Sequence, residues 1–458
     1  MSLDVFTIPS ANVTVKGYRN VKYSPSSTGI TPVSFSIPAL DDFVDLNRSF
    51  LEVELKLNSA STNGIVADAN AASDGDNTRF VYVTNNLGHT LFKQMNLRFN
   101  GTLMSEQTDT YVYNAFLETL LNYNRDEGET LLAPQGWVNY LNVTEHLTAG
   151  GAADDICTTN GWGHGDATPL KTATVPFYNN NKATFIVHPH LEAFRTGRVL
   201  VPGVEIVLEL FCNRPEFFLF GTNTSGVGVK HQVTLSQGDL KVTLHLCRLS
   251  LNPSVYNALQ AKRKVKEQWA NYPVVRSEIR TFSFDGRTTK FLEDNVFVGR
   301  MPDRMIVGLL ESRGFNGDLE YYPFAFQKFG VIRIRQVIDS EEYPYPTLEL
   351  NGGNGRKDLL GYHRFLEVSG SLLNHRPSMI QPSEWGQDKN CTLFAFNNVP
   401  NGDADAPGHR NPRQAGNVRL EIDFRAIPNK NLTVVVWGEF ENVFQIDDKG
   451  GILYNVRR

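Results

Sequence analysis

Charge, cysteine and long apolar runs are all scarce in this chain, and each scarcity excludes a class of function. Lys, Arg, Asp and Glu make up 20% of the 458 residues and the formal net charge is −5. No whole-surface basic field exists to hold nucleic acid, so no specific nucleic-acid binding is expected and any such contact must be local. Four cysteines, Cys157, Cys212, Cys247 and Cys391, are too few and too scattered for a disulfide framework. None forms a C-x-x-C pair, and free thiols made in a reducing compartment are the expectation. No apolar run approaches the roughly 18 residues of a membrane span, and Met1–Phe6 lacks the basic-then-apolar order of a secretion signal. Sequons at Asn12 and Asn431 therefore read as ordinary strand and turn chemistry.

Catalytic signatures are missing as well. No G-x-S-x-G elbow, phosphate-cradling P-loop or H-E-x-x-H helix occurs, so the reading is a non-enzyme without a cofactor. His188-Pro-His190 with Glu192 comes nearest to a metal set, since a His-x-His plus Glu pattern serves metal-binding jelly rolls of the cupin type. The glutamate follows too closely, no glycine precedes at the usual distance and Pro189 interrupts the strand; a surface turn is the better reading. His164 lies in a glycine loop without a partner signal, and Asn351–Gly355 precedes no phosphate-binding helix. The adjacent acids Glu341-Glu342 and Asp447-Asp448 are the ordinary chemistry of solvated loops.

What the chain does have is 41% apolar residues, 11% aromatics, 37 glycines and 22 prolines. This composition fits many strands joined by ordered loops, and the length suits two all-β units of about 200 residues each. Leu51–Leu57 alternates apolar and charged residues without exception, one face inward and one outward, so its register is tightly specified. Leu240–Leu246 and Val418–Phe424 alternate as cleanly, while Leu432–Trp437 is a continuous apolar run suited to a strand buried on both faces. Residues 1–48 read as an extended arm leading into a first strand at Val33–Ile37.

One signature occurs twice. Leu91–Gly101 followed by Tyr113-Asn-Ala-Phe-Leu-Glu118 returns as Phe326–Gln336 followed by Tyr362-His-Arg-Phe-Leu-Glu367. Each copy pairs an aromatic-led strand with a short amphipathic helix, which argues for two similar units in tandem. Matching Phe35 to Phe282, Phe92 to Phe326, Tyr113 to Tyr362 and Val204 to Val418 keeps the order while the spacing varies. About eight short strands per unit favour a Greek-key sandwich. The expected division is residues 1–252, a connecting helix at 253–270 and residues 271–458. Val255, Leu259 and Trp269 are spaced along one face of that helix, and long loops, read as projecting towers, are expected at 123–182 and 374–416. The expected structural anchors are Tyr113, Phe116, Leu117, Tyr362, Phe365 and Leu366 on the paired helices, with Trp437 and Phe440 in the last strand. The basic run Lys262, Arg263, Lys264 and Lys266 reads first as a solvated helix face and second as a nuclear-import or DNA contact.

Five further stretches occur in a telling order: Leu200–Ile206, Asp294–Pro302, Gly314–Gly317 before Tyr322–Phe326, Thr392–Phe396, and Trp437–Ile446. Through them the chain resembles the double jelly-roll major capsid proteins of Polinton (Maverick) elements and adintoviruses over nearly its whole length. The resemblance implies two tandem eight-stranded jelly-roll sandwiches per chain and a homotrimeric, pseudo-hexagonal capsomer that tiles an icosahedral shell. It further implies neighbouring capsomers and penton or minor capsid proteins as partners. The location would be the virion, after synthesis in the host cytoplasm, with nuclear assembly if the basic run directs import. A carbohydrate-binding or carbohydrate-active β-sandwich is the alternative, since sandwiches serve many functions.

Overall fold

The structure is a computed structural model. It describes residues 14–454 except 28, 30, 60–80, 142–181, 222–232, 236–237, 265–268, 340, 351–357, 387–388, 401 and 403–414. Sixteen strands build two sandwiches. The first holds β1 (Val15–Tyr23), β2 (Val33–Ile37), β3 (Phe43–Lys56), β4 (Phe92–Phe99), β5 (Thr102–Leu103), β6 (Lys182–Val187), β7 (Ile206–Cys212) and β8 (Leu240–Leu251). The second holds β9 (Ala270–Phe284), β10 (Lys290–Phe297), β11 (Arg304–Glu311), β12 (Val331–Ile338), β13 (Glu341–Glu349), β14 (Leu393–Asn397), β15 (Val418–Phe424) and β16 (Leu432–Ile446).

The wiring is the same in both. The first pair of sheets runs β1-β8-β3-β6 and β2-β7-β4-β5, and the second runs β9-β16-β11-β14, with Ile452–Tyr454 added against β16, and β10-β15-β12-β13. Adding eight to every strand of the first sandwich gives the second. The described pairings between these strands are all antiparallel. This is the jelly-roll arrangement, twice.

Register follows from alternation. In β3, Leu51 lies between Leu244 and Val187, and Val53 between Val242 and Phe185, so each inward residue meets an inward residue on both sides. All six are buried, and each contributes about 1.5–3 kcal/mol by leaving water. The intervening Glu52 and Glu54 are partly exposed, as the pattern requires. In β16 the residues from Leu432 to Phe440 are buried without a break, because the sheet's outer face is covered as well as its inner one.

Several expectations need correction. Val15–Tyr23 is a strand, not an arm, because it pairs with β8 along its length, which makes Val33–Ile37 the second strand. The match of Phe35 with Phe282 fails on topology: Phe35 lies in β2, whose counterpart is β10, whereas Phe282 lies in β9. The connecting helix, α2 (Pro253–Arg263), ends earlier than expected and buries no residue. Its proposed apolar face is absent, since Leu259 and Trp269 stay 39% and 40% exposed. Residues 125–141, expected as loop, fold back in two short helices and bury Leu132, Trp137 and Leu141. Residues 374–416 are likewise no continuous excursion, because they contain the wholly buried β14. Of the first proposed tower, 142–181 lies outside the described residues; of the second, only 387–388, 401 and 403–414 do, and its Met379, Ile380, Trp385 and Cys391 are buried in the core.

Candidate functional site: the seam between the two sandwiches

Two helices hold equivalent places, each following the fifth strand of its unit: α1 (Tyr111–Asn122) and α3 (Leu359–Val368). Neither has a side-chain cap, and α1 is rich in aromatic and branched residues of middling helix propensity, so tertiary contact must hold it in place. Those contacts divide by face. Tyr111 and Ala115 of α1 join the core of their own sandwich, while Val112, Tyr113, Phe116, Leu117, Leu120 and Leu121 join the core of the other. The helix is a wedge between the sandwiches rather than the base of a loop in one of them.

Aromatic stacking anchors the wedge. Tyr113 lies flat on Phe315 with ring centres 5.0 Å apart and meets Phe217, Phe324 and Phe326 edge-on. Trp437 of β16 donates its indole N–H to Asn114 Oδ1 over 2.8 Å, and Phe440 packs edge-on against Phe297. On α3, Phe365 is fully buried, whereas Tyr362 and Leu366 are partly buried at the margin of the second core. Gly361 of α3 is required by crowding: a Cβ there would stand 2.4 Å from the Trp385 ring.

A polar network continues the seam. Glu118 at the far end of α1 accepts from Ser277 Oγ of β9 at 2.7 Å and contacts Arg195 at 2.5 Å and His190 Nδ1 at 2.7 Å. Burial alone would raise its pKa, but the Arg195 guanidinium, His190 and Ser277 together draw it down to about 2. Nearby, Arg276 of β9 faces three carboxylates: Glu106, Glu278 at 2.9 Å and Glu192 at 3.8 Å. Glu192 also accepts from Tyr454 Oη at 2.6 Å, and burial pushes its pKa up to about 8. A cavity of about 50 Å³ separates these groups, lined among others by Gln94, Glu106, Asn114, Glu118 and Ser277. It has room for a few waters between polar walls.

Arg304 of β11 closes the seam at its other end. Its guanidinium reaches both oxygens of Glu439 at 2.8 and 2.9 Å, Asn122 Oδ1 at 3.3 Å and the Val368 carbonyl at 3.5 Å. One buried cation thus touches the C-terminal turns of α1 and α3. The Arg304 guanidinium also lies 5.6 Å from the Trp437 ring.

Of the residues considered for metal binding, His190 and Glu192 serve this seam. His190 pairs with Glu118, Glu192 with Tyr454 and Arg276, and the His188 ring lies 5.8 Å from Phe50. Among the described residues no group of three or more His, Cys, Asp or Glu is placed to hold a metal ion. Of the basic run, Lys262 and Lys264 are exposed, Arg263 donates to the carbonyls of Pro202 and Asp447, and Lys266 lies outside the described residues. No described helix is long and apolar enough to cross a membrane. Sequence reading did not find Glu118, Ser277, Arg276, Arg304 or Glu439. Only Glu118 carried a signal, as the closing residue of the repeated Tyr-x-x-Phe-Leu-Glu stretch.

Comparison with solved structures agrees with the wiring. The Sputnik virophage structure superposes with a TM-score of 0.61 at 9% identity, covering 100% of this chain and 92% of that one. PBCV-1 VP54, fitted into a reconstruction of the same virophage, gives 0.53 at 9% identity, covering 98% and 99%. Both are double jelly-roll major capsid proteins, and this chain has their fold. An uncharacterized protein of Caenorhabditis elegans, F54H12.2, is 23% identical over 406 residues, 88% of either chain. No protein-family model matches.

Proposed function

We propose that this chain is the major capsid protein of a double jelly-roll virus or virus-like element, acting by self-assembly and without catalysis. The observation that carries the reading is the seam. Two sandwiches of identical strand order are joined by an aromatic wedge and buried ion pairs into one block, which is what a shell-building unit must be. Three such chains make a pseudo-hexagonal capsomer that tiles an icosahedral shell, with penton and minor capsid proteins as further partners and the virion as location.

The Polinton and adintovirus lineage is the proposed origin. Several of the stretches that carry that resemblance lie at the seam, including Phe324, Phe326 and Trp437. The division at residues 252 and 271 belongs to the same reading, since β8 ends at Leu251 and β9 begins at Ala270. The structural anchors are Tyr113, Phe116, Leu117, Tyr362, Phe365, Leu366, Trp437 and Phe440.

Size-exclusion chromatography with light scattering, followed by negative-stain imaging, tests the proposal. Trimers with a pseudo-hexagonal outline are expected. A compact monomer at all concentrations that binds sugar saturably would overturn it in favour of a carbohydrate-binding sandwich.

A further inference from the structure

The seam joins unlike faces of two like units: the helix side of the first sandwich meets β9 and β16 of the second. Each sandwich owns one copy of both faces, so one helix face and one sheet face are left over. Both are bare. β9 buries Tyr272, Val274, Arg276, Ile279 and Phe284, with Tyr272 and Val274 in the core of the first sandwich, whereas its counterpart β1 buries nothing. In β1 the half-buried Val21 and Tyr23 set the inward face, and Tyr18, Asn20 and Lys22 point outward, Tyr18 being 67% exposed; the register shifts at Lys16. On the helices, α1 buries ten residues and α3 only Gly361, Phe365 and Val368. Leu359 and Leu360 of α3 stand 61% and 58% exposed, with His363 beside them.

We infer that β1 and the outer face of α3 are the two halves of an interface between copies of this chain. This rests on the assembly proposed above and names its contacts. The partner is a second copy because the two bare faces repeat the covered ones. Matching Tyr362 to Tyr113 places His363 where Asn114 receives Trp437, and Glu367 where Glu118 receives Ser277 of β9. The counterpart of β9 is β1, whose Lys16 carries the charge opposite to Glu367, while Lys22 already lies 3.7 Å from Glu52 and Glu367 3.5 Å from Arg364. Apolar Leu359 and Leu360 gain a cover, and the edge of β1, unpaired among the described strands, gains a neighbour. Such a joint is head-to-tail and closes into a ring when its rotation permits. With the same rotation at every joint, three chains give six sandwiches linked by six like seams.

The experiment uses the full chain and two variants, Tyr18→Asp and Leu360→Asp, at exposed positions where the fold should tolerate them. Circular dichroism and melting temperature check that each is folded. By light scattering the natural chain is a trimer, and each variant alone is a monomer, with trimer dissociation shifted at least about tenfold in concentration. Mixed, the two variants retain one intact joint between them and form 1:1 dimers. A natural chain that stays monomeric overturns both this inference and the capsid reading. A natural trimer whose variants remain trimeric, or a variant that dimerises with itself, overturns this interface and leaves the capsid reading standing.

Discussion

Phe116 of the first sandwich and Phe324 of the second lie face to face, ring centres 4.1 Å apart and planes 9° from parallel. Both are buried, Phe116 at 2% and Phe324 at 1% exposure, and both belong to the second core, so removing either ring opens a void there. Phe116→Ala should cost about 3–5 kcal/mol. Phe365→Ala, at the equivalent place on α3, should cost a similar amount within the second core. Thermal denaturation measures both, and unshifted melting temperatures in the pair of variants would end the anchoring role.

That relationship marks how far the sequence could be read. The alternation in Leu51–Leu57, Leu240–Leu246 and Val418–Phe424 announces the strands, and the doubled Tyr-x-x-Phe-Leu-Glu announces two units, because both patterns are local. Strand identity beyond them is not local. Val15–Tyr23 carries three cations and no buried side chain, so its composition looks like an arm, and pairing with β8 alone makes it a strand. Phe116 and Phe365 look alike in sequence, yet the first packs across the seam and the second within its own unit. Contacts such as Arg304 with Glu439 join residues from different strands, and no spacing rule reveals them.

Glu118 should govern the acid limb of stability. Its pKa is drawn down to about 2 in the fold. A carboxyl whose folded value lies below its unfolded one stabilises above the ordinary carboxylate range, and this contribution is lost as pH falls toward 2. Glu118→Gln removes the charge that Arg195 and His190 face, so it should cost on the order of a few kcal/mol at neutral pH. Melting curves of the two proteins should then converge as pH drops from about 5 to 2. Parallel curves over that range would show that Glu118 is not the titrating group.

Glu192 should act in the opposite sense. Burial raises its pKa to about 8, so the fold favours the protonated acid. Nothing is lost below the ordinary carboxylate value; stability falls as pH rises from about 4.5 to 8, where folding must accommodate the charge beside Glu106. Glu192→Gln keeps an acceptor for Tyr454 and removes that charge. It should match the natural chain near pH 5 and melt higher at pH 8. A variant that melts lower at pH 8 would refute the assignment.

Arg304 and Glu439 form a buried bidentate pair, with side chains 3% and 9% exposed. Removing one member leaves an uncompensated charge in the core, at a cost of about 3–5 kcal/mol. Removing both together avoids that penalty and leaves mainly the lost contacts to Asn122 and Val368. A double-mutant cycle in Arg304→Met and Glu439→Met should therefore be strongly non-additive, the double variant melting above Arg304→Met alone. Losses that simply add would mean the two charges do not depend on each other, and that Arg304 serves only to tie the C-terminal turns of α1 and α3.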